Sequence, residues 1–268
     1  MNSKKDLFVV LGCVVFLLMT LGAIGSGGRR RAKEAVCLSN LKQWGSVFQT
    51  FASDNDGYFM AGWMGIRVTK HTDLWPSALR PYYANGDLRL CPSAKKPASE
   101  EEGSTGYLPH SASEAWGVFP DGVVSWGAKP GDYGSYGINA WACNPSEKSE
   151  VYIGDWERLD KAHWRGHNVR EAAAVPLFMD SRWMEAWPVN TEPPPQFPEE
   201  VYLHGNDNSM WRVLILRHNT HINCLFLDYS VRRVEFKQLW TLKWHRMFDT
   251  CGAQPCAWPE WMRDFKDY

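Results

Sequence analysis

LFVVLGCVVFLLMTLGAIGSGGRRRAKEAVCLSNLKQWGSVFQTF, residues 7–51, is the stretch on which the rest of the chain turns. Its first 19 residues, 7–25, carry no charge. As a helix rising 1.5 Å per residue they would cover roughly 28 Å, close to the hydrocarbon thickness of a bilayer. Lys4 and Lys5 precede the run, and Arg29, Arg30, Arg31 and Lys33 follow it. The pattern predicts an uncleaved membrane anchor over 1–28, with a bend near the glycines at 25–28. A cleaved signal peptide, or a lipoprotein signal at Val10-Leu11-Gly12-Cys13, is the alternative use of the same residues. Counted by Lys and Arg alone, the flanks would keep the bulk of the chain in the cytoplasm, although large domains cross with less regard to flank charge.

Past Arg29 the apolar residues recur at helical spacing: Val36, Leu38, Leu41, Trp44, Val47, Phe48 and Phe51. Lys33 and Glu34 lie off that stripe, and the turn formers Ser53-Asp54-Asn55-Asp56-Gly57 end it. Leu41, Trp44, Phe48 and Phe51 are the expected helix-packing residues. The organisation expected is an anchor at 1–28, an amphipathic helix and turn at 29–57, and a globular domain at 58–268.

The whole chain has 268 residues, 44% of them hydrophobic, and a net charge of −1 from 29 basic and 30 acidic side chains. Extended disorder and a global electrostatic grip on nucleic acid are both excluded by that balance. Fifteen Trp give either heavy aromatic packing or flat faces for a partner such as a polysaccharide. Strands are expected at 151–153, 175–179, 211–216, 222–227 and 231–236, and a short helix at 239–244. The fold class is α+β: a long N-terminal transmembrane and amphipathic helix on a small antiparallel sheet with loop-rich insertions.

Several motifs match, in order, the type IV pilin-like proteins of planctomycete type, which have a prepilin-type N-terminus and an H-X9-DG motif. They are Cys37-Leu38-Ser39-Asn40-Leu41-Lys42-Gln43-Trp44-Gly45, Asp54-Asn55-Asp56-Gly57-Tyr58-Phe59, Trp75-Pro76, Leu90-Cys91-Pro92-Ser93, Gly134-Ser135-Tyr136-Gly137-Ile138-Asn139, Val175 through Ser181, and His218 with Asp228 ten positions on. The chain resembles that family over nearly its whole length. The resemblance implies a non-enzymatic subunit of a filament, a secretion pseudopilus or an envelope assembly. It also implies single-pass anchoring in the cytoplasmic membrane, a periplasmic or extracellular C-terminal domain, and self-assembly or other pilin-like subunits as partners. Two departures stand out. The prepilin peptidase site is absent, and Tyr229 replaces the motif's Gly, which predicts a different turn or a longer loop.

His218, Asp228, Tyr136 and Asn139 are expected to form a structural polar framework, His218 and Asp228 fixing the two ends of one strand. His204, His218 and His221 raise a zinc site, but strand parity would send His218 and His221 to opposite faces. Asp54 and Asp56 resemble the opening of a calcium loop, without its late Glu, and serve equally as helix-ending turn residues. No cofactor is otherwise indicated. Cys251 with Cys256, and Cys91 with Cys143, are candidate disulfides. The absence of G-x-S-x-G, P-loop and H-E-x-x-H sequences leaves an enzyme without a motif. The alternative from another class is a tethered carbohydrate-binding protein or glycoside hydrolase with exposed Trp platforms.

Overall fold

The computed structural model describes residues 3–62, 74–98, 109, 111–118, 131–145, 161–198, 208–252, 255 and 257–268. Helix α1 spans Ser3–Asp54, α2 is the short turn Trp75–Ala78, and α3 is Ser209–Val213. The strands are β1 (Lys96–Pro97), β2 (Glu114–Gly117), β3 (Tyr133–Gly134), β4 (Tyr136–Asn139), β5 (Pro176–Asp180), β6 (Glu185–Ala186), β7 (His221–Phe226) and β8 (Val231–Glu235). They make two sheets, ordered β1-β2-β3 and β6-β4-β5-β7-β8.

The expected long transmembrane helix, and with it the single-pass membrane placement, is overturned. Among the described residues no helix is long and apolar enough to cross a membrane. Within the apolar run of α1 the described side chains are those of 8–16 and Gly25. α1 is helical throughout residues 25–28, where the bend was expected.

A single small antiparallel sheet is likewise corrected to two sheets, each with one parallel pair, β1/β2 and β4/β6. The second pair has a local cause. β4 and β5 are antiparallel, and after β5 the chain reverses over 181–184 to reach the far edge of β4 as β6. The crossing passes over Gly137, where a Cβ would lie 2.4 Å from the Trp183 carbonyl oxygen and 2.8 Å from the Ser181 side chain. Only a residue without Cβ leaves that passage open.

The buried face of α1 is Cys37, Leu41, Trp44, Phe48, Phe51 and Ala52, a stripe of helical period lying over β5, β7 and β8. Phe178 of β5 is the hub beneath it, with ring centroids 5.0 Å from Trp44, 5.4 Å from Phe48 and 4.9 Å from Trp75. Val36, expected on the stripe, is exposed, whereas Glu34, expected off it, is buried against the start of β7 and against β8. The chain leaves α1 through two left-handed residues, Asp56 and Gly57, with the Gly57 amide bonded to the Ala52 carbonyl at 2.7 Å.

Residues 211–216, expected as a strand, instead give most of α3 and the start of a 3-10 helix, Leu216–His218. The Asn208 side chain caps α3 by accepting from the Trp211 amide, and Glu192 accepts from the Ser209 and Met210 amides. The C-terminal helix is 3-10 and lies at Phe236–Thr241. The expectation of an altered β7–β8 turn also fails. The turn is tight, and Tyr229 takes the left-handed conformation, φ 62°, that the motif's Gly would hold. The strand expected at 151–153 lies outside the described residues.

Gly137→Ala should therefore lower unfolding free energy by about 2–3 kcal/mol, the cost of overpacking against backbone. Urea denaturation checks this against Gly27→Ala, where the added Cβ meets no atom within 4 Å and no loss is expected.

Candidate functional site

Four elements bring Cys37, Cys91, Asp180 and His218 together under α1. Their ligand-type atoms all lie within 4.8 Å of one another, and all four residues are buried. Cys37 comes from the packed face of α1. Cys91 follows the 3-10 helix Gly86–Arg89, and this segment is docked on α1 by Asn40 and Trp44, which donate to the Leu90 and Leu88 carbonyls at 3.0 and 2.9 Å. Asp180 ends β5, and His218 ends the 3-10 helix that leads into β7.

Asp180 is the centre of the group. Its Oδ1 accepts from the Arg217 guanidinium at 3.0 Å, and its Oδ2 from His218 Nε2 at 3.2 Å and from the Asn223 amide at 2.9 Å. The Cys37 thiol approaches both oxygens, at 3.7 and 3.8 Å, and itself accepts from the Tyr136 hydroxyl at 3.3 Å. Cys91 Sγ lies 3.5 Å from His218 Nε2. Burial alone would raise the Asp180 carboxyl, but the His218 and Arg217 charges and the Asn223 amide hold it well below the usual range. Burial also opposes the His218 cation, and the adjoining Asp180 carboxylate outweighs it, lifting the imidazole to about 10. Burial pushes the Cys37 thiol up, while hydrogen bonds from Cys37 and His218 overcome burial at Cys91 and bring it down to about 6.

The set offers a thiolate–imidazolium pair, two thiols within reach of each other, and four converging donors. All four side chains are buried.

The expected framework is partly regrouped. His218 and Asp228 flank β7, but the partner of His218 is Asp180. Asp228 is exposed and caps its own turn, accepting from the Ser230 amide at 2.9 Å. Tyr136 and Asn139 are buried, Tyr136 on Cys37 and Asn139 donating to the Pro176 and Trp244 carbonyls. His218 and His221 stack 5.9 Å apart instead of facing opposite ways, because His218 belongs to a 3-10 turn and not to the strand. His221 pairs with Glu34 at 2.8 Å, and His204 lies outside the described residues.

Asp54 and Asp56 are exposed at the end of α1. The one group of three or more candidate ligands among the described residues is the Cys37–Cys91–Asp180–His218 set. Cys91 and Cys143 are free thiols, so the disulfide expected between them is corrected. Cys91 faces Cys37 and His218, while Cys143 packs against Gly62. Cys251 is a free, exposed thiol, and Cys256 lies outside the described residues. Asp180 and Cys37 carried no site assignment in the sequence. Both sit inside motifs, but nothing in their local spacing joins them.

Comparison with protein-family models, with curated proteins and with solved structures finds no match.

A second buried carboxyl, Glu185 in β6, has an oxygen without a hydrogen-bond partner. Burial raises it to about 7 against partial relief from Arg212 and Trp187. A raised carboxyl favours the fold while protonated, so this contribution is present at low pH. It is lost as pH rises from the unfolded value, about 4.5, through about 7. Glu185→Gln should thus gain about 2 kcal/mol over the natural chain on going from pH 5 to pH 8. Paired urea titrations at the two pH values measure it.

Proposed function

We propose that this protein is a non-enzymatic, pilin-like assembly subunit whose packing element is α1 and whose partners are further copies of the same chain. The observation that carries this is the bare apolar part of α1. Phe8 is 75% exposed and Phe16 67%, and Val9, Val10, Leu11, Val14 and Val15 between them are exposed as well. A helix apolar all round is stable in water only when something covers it. A second α1 is the occupant of matching shape and chemistry, and packing between N-terminal helices is what the pilin resemblance implies.

The tryptophans weigh against the carbohydrate-binding alternative. Trp44, Trp75, Trp116, Trp141, Trp164, Trp183, Trp187, Trp211, Trp240 and Trp244 are all buried and so cannot stack on a sugar. Trp258 and Trp261 are half-buried, and Trp63, Trp126 and Trp156 lie outside the described residues.

Sedimentation velocity of the full chain should show concentration-dependent oligomers. The double variant Phe8→Ser/Phe16→Ser should shift them to monomer, at least tenfold in apparent dissociation constant, with an unchanged circular dichroism spectrum. A natural chain that stays monomeric across the concentration series would overturn the proposal.

A further inference from the structure

We propose that Cys37, Cys91, Asp180 and His218 form a closed tetrahedral site for one zinc ion, which ties α1 to the five-stranded sheet. Three of the six edges of a tetrahedron can be compared directly, and all six separations lie within 4.8 Å. Zn–S near 2.3 Å and Zn–N and Zn–O near 2.1 Å, at tetrahedral angles, separate S from N and S from O by about 3.6 Å, and N from O by about 3.4 Å. The corresponding separations here are 3.5 Å from Cys91 Sγ to His218 Nε2, 3.2 Å from His218 Nε2 to Asp180 Oδ2, and 3.8 Å from Cys37 Sγ to Asp180 Oδ2. Three edges built by four distant chain segments agree with the tetrahedron to about 0.2 Å.

The surroundings suit such an ion. Tyr136 donates to Cys37 Sγ, the Asn223 amide to Asp180 Oδ2, and Arg217 to Asp180 Oδ1, so two of the four ligands are oriented from behind. Charge closes as well. Two thiolates and one carboxylate carry three negative charges, and a divalent ion with the Arg217 guanidinium carries three positive ones. Two sulfurs and an imidazole select a soft or borderline metal over calcium or magnesium. With four protein ligands and no exposed edge, the site is of the structural kind, without an open coordination position. Binding requires both thiols and the imidazole in their deprotonated forms, so zinc uptake releases protons and couples to folding.

The test uses the full chain purified with a thiol reductant in zinc-replete buffer, with elemental analysis per chain. One equivalent of zinc is expected. Replacement by Co2+ should give the visible absorption of tetrahedral cobalt–thiolate coordination. The double variant Cys37→Ser/Cys91→Ser should lose the metal, while Cys224→Ser, a buried thiol outside the set, should keep it. Should the double variant fail to fold, the natural chain still decides: a strong chelator should remove the zinc and lower Tm, and reloading with Co2+ should give the cobalt–thiolate spectrum and restore Tm. Natural chain that takes up neither metal overturns the proposal. So does a Cys37–Cys91 disulfide, seen as the loss of two hydrogens by mass spectrometry of the reductant-treated protein.

Discussion

Asp180 is the point on which the structure closes. A carboxylate with no solvent exposure costs several kcal/mol to bury unless its charge and lone pairs are met, and here its cationic and amide partners all come from one stretch of chain, residues 217–223. The Arg217 and His218 side chains arrive from a 3-10 turn, and the Asn223 amide from β7. Arg217 then spends its remaining donors on the Ser135, Ala112, Glu114 and Ser181 carbonyls. Glu114 opens β2 of the three-stranded sheet, so one guanidinium joins the two sheets through the end of β5. Removing any one of these partners leaves charge buried without compensation, which makes the group cooperative by electrostatics and not only by packing.

The tryptophans solve a related problem in the loops. Irregular backbone that is buried must still satisfy its carbonyls. Indole N–H groups donate to the carbonyls of Leu88, Met184, Tyr136, Pro188, Pro193, Glu192 and Leu239, from Trp44, Trp75, Trp116, Trp141, Trp211, Trp240 and Trp244 respectively. Each such residue fills core volume with its ring and pins a loop with its single donor. The high Trp content is therefore the counterpart of short strands: side chains take over bonding that sheet ladders would otherwise supply.

This division explains what could be read from the sequence. The packed stripe Leu41, Trp44, Phe48 and Phe51 is a periodic signal within one element, and it was legible. So were β5, β7 and β8, which are short apolar runs between turn formers. The site was not. Cys37 and Asp180 lie 143 residues apart, and their meeting depends on the register of α1 over β5, which no local pattern encodes. The His218–Asp228 spacing pointed to a pair across β7, yet Asp228 is satisfied inside its own turn and stays in solvent. Residues 211–216 misled because Val213, Leu214 and Ile215 look β-forming, while the cap at Asn208 and the Glu192 carboxylate at the helix start override that preference. Membrane spanning follows from the uncharged run at 7–25, whereas among the described residues no helix is long and apolar enough to cross a membrane.

The position of α1 along the sheet is set by directional contacts. Apolar packing is non-directional, and a helix held by it alone slides with little penalty until its side chains interlock again one turn away, 5.4 Å on. Glu34 bonded to both His221 and Arg233, Asn40 and Trp44 on the Leu90 and Leu88 carbonyls, and Cys37 between Tyr136 and Asp180 each permit only one axial setting. These contacts occupy successive turns of the same helix, so they fix rotation as well as translation. The buried polar seam thereby supplies what the aromatic core alone would leave free, a single axial and rotational setting of α1 on the sheet.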